Sequence, residues 1–279
     1  MRDFNGKVVA VTGAASGIGE EIASAFSRRG ASLCIADIDG EGLRRVEKRL
    51  LEQGGMEVQT TVVDVSDAGQ MQRWCDELYR TMKRVDILCN NAGVALGGDF
   101  EHMTLEDLAW QTGVNLWGVI HGCYFFYPRM VAQGGGHIVN TASAAGLAPF
   151  AGLAMYCATK HGVVGLSETL RAEAALHGIG VTAICPGLVT TPIVKRSRIR
   201  SGSGRLSHEE LVLKLDRLLQ RRGCPPARVA EAVVKAVEKD VGLVRITPEA
   251  YLTDWACRGS RGAYITMMKA VAFAARRVF

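Results

Sequence analysis

The sequence predicts a doubly wound α/β fold, a single seven-stranded parallel sheet with helices on both faces. Three observations predict it. Short apolar, β-rich runs alternate with helix-period stretches from end to end of the 279 residues. The first run leads into a glycine-rich turn that opens a helix, which is the start of a β-α-β unit. Composition, at 48% hydrophobic and 22% charged with 7 Pro, supplies an ample core and excludes disordered and collagen-like chains.

Each element has its own signal. The first strand, 7–12, is Val8-Val9-Ala10-Val11 closed by Thr12 and Gly13, and the helix at 17–29 opens on Gly17 and stops at Gly30. The second strand, 31–37, carries Leu33-Cys34-Ile35-Ala36 and ends on Asp37; the helix at 40–53 runs from Gly40 to Gly54. A third strand, 56–64, ends on Asp64, and Asp67 starts the helix at 67–83. Strand 85–90 is followed by the longest helix, 104–132, and strand 136–143 by a helix at 153–177 that closes at Gly178. Strand 180–185 ends at Pro186-Gly187, Pro225-Pro226 opens the helix at 226–239, and strand 242–247 stops before Pro248.

One interruption breaks the alternation. After Pro186-Gly187 the next helix is delayed by about 40 residues carrying Ser201-Gly202-Ser203-Gly204, a length that in compact domains is usually functional. Residues 188–224 are read as a substrate lid with a helix near 207–222. Residues 1–250 then form one domain, and 251–279 a C-terminal extension.

The 8 cysteines are scattered without a C-x-x-C and read as reduced core residues; the 6 histidines lack ligand spacing, so no metal is expected. No run reaches the ~20 apolar residues of a membrane span, and residues 1–5 lack a secretory h-region, so a cytoplasmic location is expected. The net charge of +5 is uneven. Residues 195–222 hold nine Lys/Arg against three Asp/Glu, and 251–279 five against one, leaving the remainder acidic. Neither segment is interleaved with aromatics or set in a nucleic-acid-reading motif, so no nucleic acid is expected and a solvated surface is the plain reading.

The turn Thr12-Gly13-Ala14-Ala15-Ser16-Gly17-Ile18-Gly19 joins strand to helix with G-x-x-x-G-x-G spacing. Its glycines allow the tight turn and let backbone amides and the helix N-terminus approach a pyrophosphate. Asp37, 18 residues beyond Gly19, stands where a carboxylate accepts hydrogen bonds from an adenosine ribose. That charge opposes a 2′-phosphate, which favours NAD over NADP. Arg28 and Arg29 lie at the far end of the helix, away from any such phosphate.

With that loop, Asn90-Asn91-Ala92-Gly93 after the fourth strand, Ser143 ending the fifth, and Tyr156-Cys157-Ala158-Thr159-Lys160, the chain resembles the short-chain dehydrogenase/reductase family over about residues 5–250. The resemblance implies a Rossmann-type sheet of order 3-2-1-4-5-6-7, with cofactor and substrate at the carboxyl ends of the strands. It implies hydride exchange between NAD and an alcohol or ketone. Tyr156 is the candidate general acid/base, and its ordinary pKa of ~10 is too high for neutral pH. Lys160, one helical turn on, is expected together with the positive nicotinamide to pull that pKa down. By resemblance, Lys160 also holds the nicotinamide ribose, Ser143 bonds the substrate oxygen, and Asn115 positions a water for a relay through Lys160.

Further contacts follow from the same resemblance. Gly13, Ser16, Gly17, Ile18 and Gly19 would hold the pyrophosphate; Asp64 and Val65 would flank the adenine. Asn90, Ala92 and Gly93 would pack along the ribose and cofactor backbone, Pro186 and Gly187 against the nicotinamide, and Thr191 would bond the carboxamide. Asn91 reads equally as a turn residue. The substrate wall is drawn from 94–96, 144–153, Leu188, Val189 and Ile193, whose aliphatic character points to a hydrophobic alcohol or ketone. Lys195, Arg196, Arg198, Arg200 and Arg205 keep open a 3-oxoacyl thioester on an anionic carrier. A non-catalytic NAD-binding regulator is the alternative from a different class.

From Gly262 onward, Tyr264, Met267, Met268, Val271, Ala275 and Val278 share one helical face, opposite Lys269, Arg276 and Arg277. Such a basic amphipathic helix covers a neighbouring subunit or lies on an anionic membrane surface; the small Ala and flexible Met favour protein. The resemblance implies a homotetramer paired through 104–132 and 153–177, with a dimer left open.

Overall fold

The strands alternate between two cores, and this fixes the architecture. In β1 (Val8–Thr12), Val9 and Val11 point into one core while Val8 and Ala10 point into the other. Leu33 and Ile35 of β2 (Ser32–Asp37) likewise face the first core, and Cys34 and Ala36 the second. A strand apolar on both faces is satisfied only between two helical layers. The computed structural model describes residue 1, residues 3–200 and residues 208–278. Side chains are described up to residue 273, without that of residue 208.

The first layer contains α1 (Gly17–Ser27), α2 (Gly40–Glu52) and α8 (Pro226–Lys239), contributing Ile22, Phe26, Leu43, Leu50 and Val233. The second contains α3 (Ala68–Thr81), α5 (Gly118–Ala132) and α6 (Ala154–Ala174), with Trp74, Leu78, Phe126 and Val163. Between them, β1 and β2 are joined by β3 (Val58–Val62), β4 (Ile87–Asn90), β6 (Gly136–Thr141), β7 (Ile179–Cys185) and β9 (Leu243–Arg245) in the parallel order β3-β2-β1-β4-β6-β7-β9. Counting only these seven, that is the expected order. Two three-residue strands were not foreseen: β5 (Leu96–Gly98) and β8 (Arg198–Arg200) form a separate parallel ribbon. Through it, the segment after β7 is fastened to the segment after β4.

Caps follow the side chains that the sequence supplies. Asp39 accepts from Gly42 N at 2.9 Å and Asp67 from Gln70 N at 3.0 Å, which satisfies first-turn amides of α2 and α3. Thr104 and Asp107 form a reciprocal capping box on α4 (Leu105–Thr112). The expected long helix is α4 and α5 joined through a π-turn at Gly113–Trp117, which contains Asn115. Arg29 binds Glu231 of α8 at 2.8 Å, so this end of α1 is tied to the back of the molecule.

Beyond β8 lies α7 (His208–Arg222), and beyond β9 come α9 (Pro248–Gly259) and α10 (Arg261–Val278). The line drawn at residue 250 falls inside α9. Tyr264 and Cys257 are buried with Ala148, and Phe150 and Met268 pack against them, so the C-terminal helices lean on the wall that precedes α6. The apolar face expected on α10 is therefore divided: Tyr264 is 3% exposed, whereas Met267 and Val271 are 49% and 48% exposed. The side chains of Ala275, Arg276, Arg277 and Val278 lie outside the described residues. Among the described residues no helix is long and apolar enough to cross a membrane, and no cluster of His, Cys, Asp or Glu suits a metal ion.

Candidate active site

The carboxyl ends of β1, β4, β6 and β7 converge on one cleft. Gly13 has φ +65°, and a Cβ there would lie 2.7 Å from the Ala92 Cα, so this turn requires glycine. The Thr12 Oγ1 accepts from the backbone amides of Asn91 at 3.0 Å and Ala92 at 3.1 Å. Asn91 Nδ2 donates to the carbonyls of Thr12 at 3.1 Å and Gly13 at 3.2 Å. Asn91 thus splices the glycine loop to the end of β4. Ser16 is an extended N-cap whose side chain makes no cap bond, which leaves first-turn amides of α1 beside Gly17, Ile18 and Gly19 for an anion. A Cβ on Gly17 would lie 3.2 Å from Thr191 Cγ2, so Thr191 closes the far side of the same loop. These features fit a dinucleotide pyrophosphate.

Asp37 is 9% exposed and held by two amides: Ala15 N donates to Oδ2 at 3.0 Å and Asp39 N to Oδ1 at 3.1 Å. Each oxygen keeps a lone pair for a ribose hydroxyl. Asp64 Oδ1 accepts from Ser66 N at 2.9 Å and its hydroxyl at 2.7 Å, and buried Val65 directs its carbonyl to His121 Nδ1 at 2.9 Å. The Asn90 side chain turns into the layer between sheet and helix and donates to Asn140 Oδ1 at 2.9 Å, so any contact it makes along the ribose is through its backbone. Being 2% exposed, it braces β4 against β6 and leaves the cleft wall to Ala92 and Gly93.

Two of the four candidate catalytic residues, Asn115 and Lys160, meet at Gly93. A Cβ on Gly93 would lie 3.4 Å from Asn115 Oδ1 and 3.7 Å from Lys160 Nζ. Asn115, fully buried, exchanges two bonds with the Val94 backbone, accepting at 2.8 Å and donating at 2.9 Å. Lys160 is 3% exposed, donates to Thr141 O at 2.8 Å, and stands 5.8 Å from the Tyr156 ring centroid. Ser143 Oγ accepts from Ala145 N at 3.1 Å, and its hydroxyl is near enough to the half-buried Tyr156 to act on the phenol.

In the chain alone, burial dominates the electrostatics of the pair. Burial pushes the Tyr156 phenol up rather than down, and the Ser143 hydrogen bond is what opposes it. Burial also lowers the Lys160 ammonium to about 8. Without further positive charge the pair resists ionisation, because both groups sit in surroundings poorer in water than the surface.

The turn after β7 is held by residues that the sequence reading missed. Pro186 O accepts from Ala144 N at 2.8 Å, Gly187 N donates to Thr247 Oγ1 at 3.1 Å, and Leu188 N donates to Glu249 Oε1 at 2.8 Å. Thr247-Pro248 was legible as a helix start, with Pro in the first turn. The four basic residues of 195–200 are paired. Arg198 meets the fully buried Asp107 at 3.1 Å and Arg200 meets it at 2.8 Å; Arg196 meets Asp39 at 3.3 Å and Lys195 meets Asp216 at 3.6 Å. Arg198 also lies over the Trp110 ring at 4.3 Å, and Arg205 is outside the described residues.

The family model for short chain dehydrogenases matches residues 7–201, which include the glycine loop, Asn115, Ser143, Tyr156, Lys160 and Thr191. The chain belongs to the short-chain dehydrogenase family. This short-chain dehydrogenase is 37% identical over 250 residues to the probable oxidoreductase EphD of Mycobacterium tuberculosis, covering 89% of this chain but 42% of that protein. It therefore spans less than half the length of that relative. The putative oxidoreductase SadH of the same organism is 32% identical over 272 residues, covering 97% of this chain and 96% of SadH. A short chain dehydrogenase/reductase from Burkholderia phymatum, solved in complex with NAD, is 34% identical with a TM-score of 0.84, over 94% of this chain and 96% of that one. Another, from Sphingobium yanoikuyae and solved with NADPH, is 27% identical with a TM-score of 0.77, over 93% and 95%. Both dinucleotides thus occur among its structural neighbours.

Proposed function

We propose that this short-chain dehydrogenase is an NAD-dependent oxidoreductase acting on a secondary alcohol or its ketone, with Tyr156 as general acid/base. The gathering of Asn115 and Lys160 at Gly93, with Ser143 and Tyr156 beside them and the glycine loop opposite, carries this reading. Gly13, Ser16, Gly17, Ile18 and Gly19 would hold the pyrophosphate, Asp37 the ribose, Asp64 and Val65 the adenine, and Gly187 and Thr191 the nicotinamide end. When bound, the nicotinamide accepts or supplies hydride and brings positive charge in its oxidised form. The protein's own groups move the proton. Ser143 orients the substrate oxygen, and Tyr156 takes or gives the hydroxyl proton at its phenolic oxygen. The Lys160 ammonium favours the phenolate against the burial that opposes it.

The carboxylate of Asp37 supports NAD over NADP, because its two amide donors fix it in place and a 2′-phosphate beside it would meet a like charge. Asp37→Ala is expected to reduce the preference for NAD, measured as a ratio of kcat/KM, by about tenfold or more. Unchanged discrimination would remove Asp37 from this role. A screen of alcohols and ketones with NAD and NADH, following absorbance of the reduced cofactor, tests the activity itself; cofactor binding without turnover of any compound would favour a regulator.

The aliphatic wall, with Leu96, Leu153, Val189 and the single large aromatic Phe150, supports a hydrophobic substrate. We read 188–224 as its lid. Pairing of the lid cations with carboxylates argues against a docking site for an anionic carrier, so KM is expected to vary less than about twofold between low and high salt. A steep salt dependence would restore the thioester reading. Exposed Leu105, Trp117 and Tyr124 along the α4–α5 helix support a homo-oligomer, which sedimentation would measure.

A further inference from the structure

The two helices after β9 turn large apolar side chains outward. On α9, Ala250, Asp254 and Cys257 face the protein, while Tyr251, Leu252 and Trp255 face solvent, the last two 65% and 80% exposed. On α10, Tyr264 and Met268 pack with Ala148 and Phe150, whereas Met267 and Val271, one turn apart, stay exposed, as does Phe273. Ser260 alone separates the helices, and Cys257 and Tyr264 are buried in the same cluster, so their outer sides form one surface. An apolar surface of this kind marks a contact with something else.

Its charge says what that is. Asp254 is the one acidic residue between 251 and 279. It is buried, with Oδ1 held by Arg258 and Oδ2 by Arg245. The charges left outside from 251 to 273 are therefore Arg258, Arg261 and Lys269, all positive, and the sequence adds Arg276 and Arg277. A copy of the chain related by a two-fold axis would set these cations against themselves with no carboxylate between them. Tryptophan and tyrosine rings among arginine and lysine fit the boundary between lipid headgroups and acyl chains. The Met and Ala that pointed to a protein partner are partly used within the chain, since Met268 packs on its own wall and Ala272 is half-buried.

We propose that the outer side of α9 and α10 docks on an anionic phospholipid bilayer, with Leu252 and Trp255 at headgroup depth and the cations against lipid phosphates. The contact lies beside the candidate substrate cleft. Ala148 and Phe150, on which the two helices lean, belong to the wall of that cleft. Glu249, in the first turn of α9, holds the Leu188 amide where the lid begins. A hydrophobic alcohol or ketone dissolved in the bilayer thus reaches the wall and lid without a passage through bulk water. That consequence rests on the reading of the substrate as hydrophobic; the docking does not.

Flotation of the full chain with vesicles tests this. The chain is expected to float with phosphatidylcholine vesicles containing about one third phosphatidylglycerol, and to bind phosphatidylcholine alone at least about tenfold more weakly. Binding should fall at least about fivefold as salt is raised to about 0.5 M. Arg261→Glu together with Lys269→Glu is expected to weaken binding by about 100-fold or more, at about fivefold per unit of charge. Leu252→Ser together with Trp255→Ser alters exposed positions only, and is expected to weaken it about tenfold or more with an unchanged melting temperature. Equal binding to both kinds of vesicle, or to neither, would overturn the proposal, as would anionic-vesicle binding that survives both double variants. A Leu252→Ser, Trp255→Ser chain that sediments as a smaller species than the wild type would assign the surface to a second copy and overturn it as well. A chain that binds the anionic vesicles but turns over no hydrophobic alcohol or ketone would remove the delivery of substrate and leave the docking in place.

Discussion

Replacement of Tyr156 by phenylalanine is expected to lower kcat by about 10²–10⁴-fold, the usual contribution of a positioned acid/base, while leaving the affinity for NAD nearly intact. The substitution removes one oxygen and no carbon, so the ring that stands 5.8 Å from the Lys160 ammonium stays packed. What is lost is the phenolic hydroxyl proposed to carry a proton to and from the substrate oxygen. Stability should change little or rise, because the phenol that burial pushes up is replaced by a group with nothing to desolvate. Titration of NAD against the variant, beside its kcat, separates chemistry from binding. Retained turnover with any substrate that the wild type accepts would eliminate the mechanism.

Asp107→Ala is expected to destabilise the chain by about 2–3 kcal/mol, or about 5–10 °C in melting temperature. The side chain completes the α4 capping box, accepting from Thr104 N at 3.2 Å and Thr104 Oγ1 at 3.0 Å, and receives Arg198 at 3.1 Å and Arg200 at 2.8 Å and 2.9 Å. Both arginines are partly exposed and recover water when the carboxylate is removed, which keeps the loss below that of a fully buried pair. The pH dependence has a definite sign. A carboxyl held below its unfolded value stabilises the fold fully above about pH 4, and that stability is lost as pH falls further. The gap in melting temperature between wild type and Asp107→Asn should therefore be constant from about pH 5 to 8 and narrow in stronger acid. A gap that widened in acid would mean that the arginines, rather than the carboxylate, set the balance.

The sheet was legible because its strands are bounded by turn residues and the inner ones are apolar enough to lie between two layers, as Val8 to Val11 illustrate. The β5–β8 ribbon pairs Leu-Gly-Gly with Arg-Ile-Arg, neither of them an apolar run, so it could not be read from its sequence. The glycine loop, Ser143, Tyr156 and Lys160 were visible as motifs on predicted elements. Asp107 was not, since a polar residue on an amphipathic helix looks like its solvated face until a distant segment covers it. The partners of the cations at 195–200 were hidden for the same reason: Asp39 caps α2, Asp107 lies on α4 and Asp216 on α7. Asn90 and Asn91 are neighbours in a motif, and only the pleat of β4 decides that the first serves the interior and the second the loop. The burial that raises the Tyr156 phenol could not be read from i, i+4 spacing, because it is a property of the folded surroundings.

The hold of Thr247 and Glu249 on Gly187 and Leu188 has a practical consequence for recombination among relatives. This substrate-covering segment, transplanted into another member, would arrive without the hydroxyl and carboxylate that receive its first two amides. Hybrids of this enzyme should therefore exchange 187–224 and 247–249 as one unit, although some twenty residues of helix and strand separate the two in the chain.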